Sequence, residues 1–235
     1  MSAAASPQVD QPPPRRRTVR HKPALLVAEL RGMGDLAILM PFLQTACTRF
    51  DVSLLAGPNA AGLLQRFAPE VELIPCVAPW ALFSGGWNLP RWPWSRLAGV
   101  LRALRERDFH AAVSVWPLIS DHIFLKLARP KKLIGFGQRG GRWLLNRDLR
   151  RETHTHRSEA WRRIAEDLGL TAMSTIQPRL RPAQVRRIVL HSGASQLLRV
   201  WPMDRYATLL KNLRQTGWSP VVLCDQLQLS RWHAI

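Results

Sequence analysis

From Ala24 onward the sequence repeats one pattern: a short apolar run, a glycine-bearing break, then a stretch with apolar residues at every third or fourth position. Ala24 to Glu29 (ALLVAE) is the first apolar run, and Arg31-Gly32-Met33-Gly34 breaks it. After Asp35, the residues Leu36, Leu39, Met40, Leu43, Ala46, Cys47 and Phe50 mark one stripe of a helix. Pro41 lies inside that helix and predicts a kink. Strands are predicted at Val52 to Ala56, Val71 to Ile74, Ala111 to Val115 and Lys132 to Phe136. Helices fall between them around Leu63 to Phe67, along Leu97 to Leu104, through Ile123 to Leu127, and over Ser158 to Leu168, the last stopped by Gly169. Strands that alternate with helices pair in parallel, so an α/β fold follows, with the first strand central in its sheet.

The pattern restarts once. A strand at Ile188 to Leu190 leads into the turn His191-Ser192-Gly193-Ala194-Ser195, then a helix bearing Tyr206, Leu209, Leu210 and Leu213, then a strand at Val221 to Cys224. Two strands cannot close a sheet, so this second domain is expected to be incomplete. The organisation expected is a basic, Pro-rich disordered tail over 1–23, a first domain over 24–170, a linker over 171–185, and the start of a second domain over 186–235. The tail holds Arg15, Arg16, Arg17, Arg20 and Lys22, a composition that buries too little apolar surface to order itself.

Composition bounds the partners. With 34 Lys and Arg against 16 Asp and Glu, the 235 residues carry a net charge of +18, which points to a negative partner of some kind. Half of that excess lies between Lys126 and Arg163, where twelve basic residues face three acidic ones. Cys47, Cys76 and Cys224 match no zinc-ligand spacing and no paired disulfide framework. No apolar run approaches the ~18 residues of a membrane span, and a cytoplasmic chain is expected. Trp80, Trp87, Trp92 and Trp94 crowd a stretch broken by Pro79, Gly85, Gly86, Pro90 and Pro93, which predicts a loop with an apolar surface.

The chemistry-bearing residues sit at the first break. Arg31, Gly32, Gly34 and Asp35 join strand one to helix one at the carboxyl edge of the predicted sheet, where open α/β folds bind ligands. The spacing is not a dinucleotide fingerprint, since Ala37 stands where a third glycine would fall. Asp35 on this reading is either an N-cap or a functional carboxylate.

Arg31-Gly32-Met33-Gly34-Asp35, with the later Leu54-Leu55-Ala56-Gly57-Pro58-Asn59-Ala60-Ala61, resembles the opening of the family 9 glycosyltransferases, the ADP-heptose:lipopolysaccharide heptosyltransferases. His191-Ser192-Gly193-Ala194-Ser195 followed by Arg199-Val200-Trp201-Pro202-Met203-Asp204-Arg205-Tyr206 is similar to that family's H-P-G-A-S...K-x-W-P-x-x-R-F signature. His156, ahead of Trp161 and Leu168-Gly169, matches a family histidine more loosely, and a helix-capping role is the plainer reading of it. Ser192 departs from the family's Pro and Arg199 from its Lys. The family's later D-S-G-x-x-H-L-A motif has no counterpart, and Asp225 to Ile235 does not read like the family's loop and helix after this strand, so a truncated or frameshifted chain is expected.

The resemblance implies a GT-B arrangement: a Rossmann-like N-terminal domain on the acceptor side and an incomplete second Rossmann-like domain on the nucleotide-sugar side. It implies inverting transfer of a heptose-type sugar from an ADP-sugar donor to an anionic glycolipid of the lipopolysaccharide core, at the cytoplasmic face of the inner membrane. Asp35 is then the general base, and Arg31, Gly32, Gly34 and His156 line the acceptor side. Gly193, Ala194, Ser195 and Arg199 hold the diphosphate. No metal and no cofactor beyond the donor are expected, and no nucleic acid. Two rivals remain: an inactive remnant of such an enzyme, and a basic nucleic-acid-binding protein.

Overall fold

A computed structural model describes residues 22–81, 88–150, 156–170, 186–193, 200–224 and 226–233. The chain divides into two compact units, Met1–Ile176 and Gln177–Ile235. In the first, the elements run β1 (Ala24–Glu29), α1 (Met33–Ala46), β2 (Asp51–Ala56), α2 (Ala61–Phe67), β3 (Glu72–Pro75), α3 (Trp94–Arg105), β4 (Phe109–Ser114), α4 (Ile119–Leu127), β5 (Lys132–Gly135), β6 (Arg147–Asp148) and α5 (Arg157–Asp167). The six strands form one sheet of order β3-β2-β1-β4-β5-β6, with every neighbouring pair parallel and β1 in the middle. The predicted parallel sheet with a central first strand is what the structure contains.

Burial on both faces explains why β1 is almost wholly apolar. Leu25 and Val27 point into a core shared with α1, α2 and α5, and Leu26 and Ala28 into a second core shared with α3 and α4. Helices therefore cover both faces of the sheet. In the first core Trp161 of α5 is fully buried, its ring 4.9 Å from that of Phe42 on α1. Burying such a side chain contributes about 2–3 kcal/mol, and this contact anchors α5 beside α1. Gly169 ends α5 at φ +70, a left-handed stop that lets Leu170 N donate to Ala165 O (2.8 Å).

Several details differ from the sequence reading, among them the end of α1 at Ala46, short of the predicted stripe residues Cys47 and Phe50. Helix α1 begins two residues before Asp35, with Gly32 as its N-cap, so Asp35 lies in the first turn and is not the cap. Helix α4 starts at Ile119, four residues before the predicted stretch. Strand β6 was not foreseen, because two polar residues carry no pattern; it is held by pairing with Ile134 and Gly135, by the ion pair of Arg147 with Asp167 and by the bond from Gly137 N to Asp148.

The second unit holds β7 (Arg187–His191), α6 (Met203–Gln215), β8 (Ser219–Leu223) and α7 (Gln226–His233), with β7 and β8 parallel. Val189, Val221 and Leu223 remain exposed on this two-stranded sheet. The helix α7 is a finding the sequence reading lacked. The predicted tail lies almost wholly outside the described residues, as does the predicted linker. All three cysteines are free, and burial pushes the thiols of Cys47 and Cys76 up to about 11.

Candidate functional site

In a sheet of order 3-2-1-4-5-6 the chain departs in opposite directions from β1 and β4, which opens a crevice beyond their carboxyl ends. Arg31 and Asp35 follow β1 and Trp116 follows β4, so all three lie at that crevice. Glu29, the last residue of β1, is fully buried there. Its carboxylate accepts from Trp116 Nε1 (2.9 and 3.2 Å) and from the backbone N of Arg31 (3.2 Å). Burial pushes this carboxyl from its ordinary value up to about 7; the Trp116 hydrogen bond pulls it back down in part, and the nearby charge of Asp35 pushes it further up.

The Trp116 ring is the hub of the cluster. The guanidinium of Arg157 lies 3.6 Å from its centroid and that of Arg31 4.8 Å, close enough for cation–π attraction to both. Arg157 Nε also stands 3.5 Å from Asp35 Oδ1, which ties the start of α5 to the first turn of α1. Arg31 turns the other way and donates to both carboxylate oxygens of Asp121 on α4 (3.3 and 3.5 Å). Trp80 Nε1 donates to Asp121 as well (2.6 Å). Burial raises the Asp121 carboxyl while Arg31 and Trp80 offset that rise. Arg31 Nη1 is buried without a hydrogen-bond partner among the described residues.

Of the sequence candidates, the structure brings Arg31, Gly32, Gly34 and Asp35 together, and it leaves open space where a Cβ on either glycine would project. Asp35 keeps about a quarter of its side chain exposed, enough for a hydroxyl-bearing ligand to reach it. His156 is the N-cap of α5, with its Nδ1 accepting from Ser158 N (3.3 Å) and lying 2.7 Å from Ser158 Oγ. Sequence reasoning missed Glu29, Trp116, Asp121 and Arg157. Glu29 gave a usable signal: a carboxylate ending a strand buried on both faces needs partners.

Ala194, Ser195 and Arg199 lie outside the described residues. Gly193 follows Ser192, which is buried and holds α7: Ser192 Oγ donates to Gln228 Oε1 (3.0 Å), Gln228 Nε2 donates to Ser192 O (3.2 Å), and Trp232 Nε1 donates to Ser192 Oγ (3.0 Å). Tyr206 meets Trp201 (4.9 Å) and Trp232 (5.7 Å) edge-on and donates to His191 O (3.2 Å). A cavity of about 630 Å³ lies at the opposite, amino-terminal end of β2, lined by Gln44, Cys47, Asp51 and Glu70 among others. It is remote from the crevice and shares no residue with it. Among the described residues no group of three His, Cys, Asp or Glu side chains is placed to hold a metal ion.

The fold and its crevice define a doubly wound α/β domain followed by the strands and helices of a second α/β unit. No protein-family model matches the sequence, and no curated protein sequence matches it significantly. Solved structures do match in fold. A glycosyl transferase of family 9 from Veillonella parvula superposes with a TM-score of 0.70 at 15% identity, over 91% of this chain and 66% of that one. E. coli heptosyltransferase WaaC with ADP gives 0.65 at 17% identity, over 85% and 67% of the two chains. E. coli ADP-heptose lps heptosyltransferase II gives 0.63 at 18%, over 87% and 65%. The chain thus has the α/β fold of these glycosyltransferases and spans about two thirds of their length.

Proposed function

We propose that this chain belongs to a family 9-type glycosyltransferase that transfers a heptose-type sugar from an ADP-sugar to an anionic glycolipid acceptor, with inversion at the anomeric carbon. The observation that carries the reading is Asp35: a part-exposed carboxylate in the first turn of α1, at the crevice beyond β1, held at 3.5 Å by Arg157. Inversion needs one carboxylate to take the proton from the attacking hydroxyl while cationic and N–H groups stabilise the departing diphosphate. Asp35 is the base. Arg157 directs its carboxylate, and Glu29, protonated through much of the acid-to-neutral range, avoids a second full negative charge beside it.

On the donor side, Gly193, Ala194, Ser195 and Arg199 clamp the diphosphate. Arg in place of Lys there offers a forked set of donors for phosphate oxygens. Fold likeness to structures titled as heptosyltransferases, two of them with ADP or an ADP-sugar derivative, supports this assignment. The glycolipid acceptor locates the work at the cytoplasmic face of the inner membrane; no helix among the described residues is long and apolar enough to cross it.

Calorimetric titration of the full chain with ADP tests the donor half. Binding is expected, and Arg199→Ala should weaken it roughly tenfold or more, the usual worth of a hydrogen bond to a charged group. Absence of any ADP binding by the unaltered chain would favour the inactive-remnant reading.

A further inference from the structure

Helices α3 and α4 cover the same face of the sheet, with Leu97 and Leu104 of one and Phe124 and Leu125 of the other in a common core. Arg105 Nε donates to Leu127 O (2.7 Å), which ties their last turns together. The side of this layer turned away from the core is unusual on two counts. It is apolar: Leu89 and Trp94 are 49% and 54% exposed before and at the start of α3, and Ile123 and Leu127, one turn apart on α4, are 42% and 44% exposed. It is also cationic: from Leu89 to Arg105 there are four arginines and no acidic residue, and Lys126 lies exposed between Ile123 and Leu127.

We infer that this α3–α4 face is a docking surface for an anionic lipid bilayer. A bilayer surface offers negative headgroups over an apolar interior, and the face offers both complements at once: Arg96, Arg102 and Lys126 for the headgroups, and Trp94, Ile123 and Leu127 for the boundary below them. Trp94 suits a shallow insertion. Its Nε1 already donates to Leu89 O (2.9 Å), and its ring packs at a tilt against Trp92 (5.2 Å), which packs in turn against Trp80 (5.3 Å). The indole is thus held in place with its polar edge satisfied. Between the arginines the outward side of α3 is small, with Ser95, Ala98, Gly99 and Ala103 exposed, so the helix can approach a flat surface closely. Nucleic acid would use the arginines but gains little from exposed Ile and Leu.

The same aromatic run reaches inward. Trp80 donates to Asp121, the partner of Arg31, so the docking face and the crevice share a continuous set of packed groups. The docking inference stands on the surface alone and holds whether or not the chain transfers a sugar.

The test is co-sedimentation of the full chain with vesicles of mixed phosphatidylglycerol and phosphatidylcholine, and of phosphatidylcholine alone. The unaltered chain should bind the mixed vesicles and bind the neutral ones far less. Arg96→Glu with Arg102→Glu should reduce binding roughly tenfold or more. Ile123→Ser with Leu127→Ser, which changes no charge and trims side chains 42% and 44% exposed, should also reduce it several-fold, with an unchanged circular dichroism spectrum showing that the fold is kept. Lys211→Glu with Arg214→Glu on α6 makes the same charge change elsewhere and should leave binding nearly intact. The inference is overturned if the unaltered chain ignores anionic vesicles, or if the α6 pair weakens binding as much as the α3 pair. It also fails if neither α3–α4 variant loses binding, which would assign attachment to the basic residues before Ala24. Binding of duplex DNA in preference to vesicles, lost with the same α3 substitutions, would replace the bilayer by nucleic acid.

Discussion

Replacing Glu29 by Gln exchanges the carboxyl for an amide that cannot ionise and changes the volume little. Gln is the same size and its amide oxygen can still accept from Trp116 Nε1, so the packing at the end of β1 survives. In the folded chain the Glu29 carboxyl keeps its proton up to about pH 7, against an ordinary value of 4.5, chiefly because it is buried. At about 1.4 kcal/mol per pH unit, holding the proton over that interval is worth about 3 kcal/mol. The sign follows from which state binds the proton more tightly. The folded value is raised, so the contribution is fully present below about pH 4.5 and is lost as pH rises through 7. Stability measured by urea unfolding at intervals from pH 4 to 8.5, for both proteins, gives the difference as a function of pH, and groups common to both cancel. The original chain should fall relative to Glu29→Gln by about 3 kcal/mol, most of it between pH 4.5 and 7, and the difference should then level off. A difference that stays flat over the whole range would refute the reasoning and mean that Glu29 ionises as if it were in water.

Two further substitutions test local packing. Gly141→Ala would place its Cβ against Nδ1 of the fully buried His122; a cost of about 1–3 kcal/mol is expected, and His122→Ala in that background should cost less than it does alone. Additive costs in the double variant would contradict this contact. Ser192→Ala removes the hydroxyl that joins Gln228 and Trp232, a loss of about 1–3 kcal/mol for buried partners left unsatisfied. Hydrogen exchange in α7 should speed up accordingly, and unchanged protection would show that α7 is held by other contacts.

Much of the sheet is legible in the sequence because burial on both faces leaves a direct trace. ALLVAE is nearly all apolar since alternate residues enter two different cores, and the glycines at 32 and 169 mark the breaks around helices. What is not legible is what no local pattern encodes. Strand β6 is two polar residues defined by their neighbours. The start of α1 at Met33 is set by the bond from Leu36 N to Gly32 O (3.2 Å), which the apolar stripe beginning at Leu36 does not announce.

The site divides the same way. Arg31, Gly32, Gly34 and Asp35 are contiguous and stand out at the first turn. Trp116, Asp121 and Arg157 lie far along the chain, and only the fold brings them to Glu29, Arg31 and Asp35 respectively. The capping role that the sequence offered His156 is present in the structure, its Nδ1 accepting from Ser158 N at the start of α5. The pairing of Ser192 with α7 was out of reach, because the residues of α7 match no pattern that the first βα unit displays.

The central claim is that Asp35 takes the proton from the acceptor hydroxyl. The most direct measurement is transfer of labelled heptose from an ADP-heptose donor to a heptose-free lipopolysaccharide acceptor, compared between the unaltered chain and Asp35→Asn, with ADP affinity and circular dichroism recorded for both. Transfer should fall ~100- to 10,000-fold in the variant, with fold and ADP affinity retained. Near-normal transfer by Asp35→Asn would contradict the account and move the base to another group.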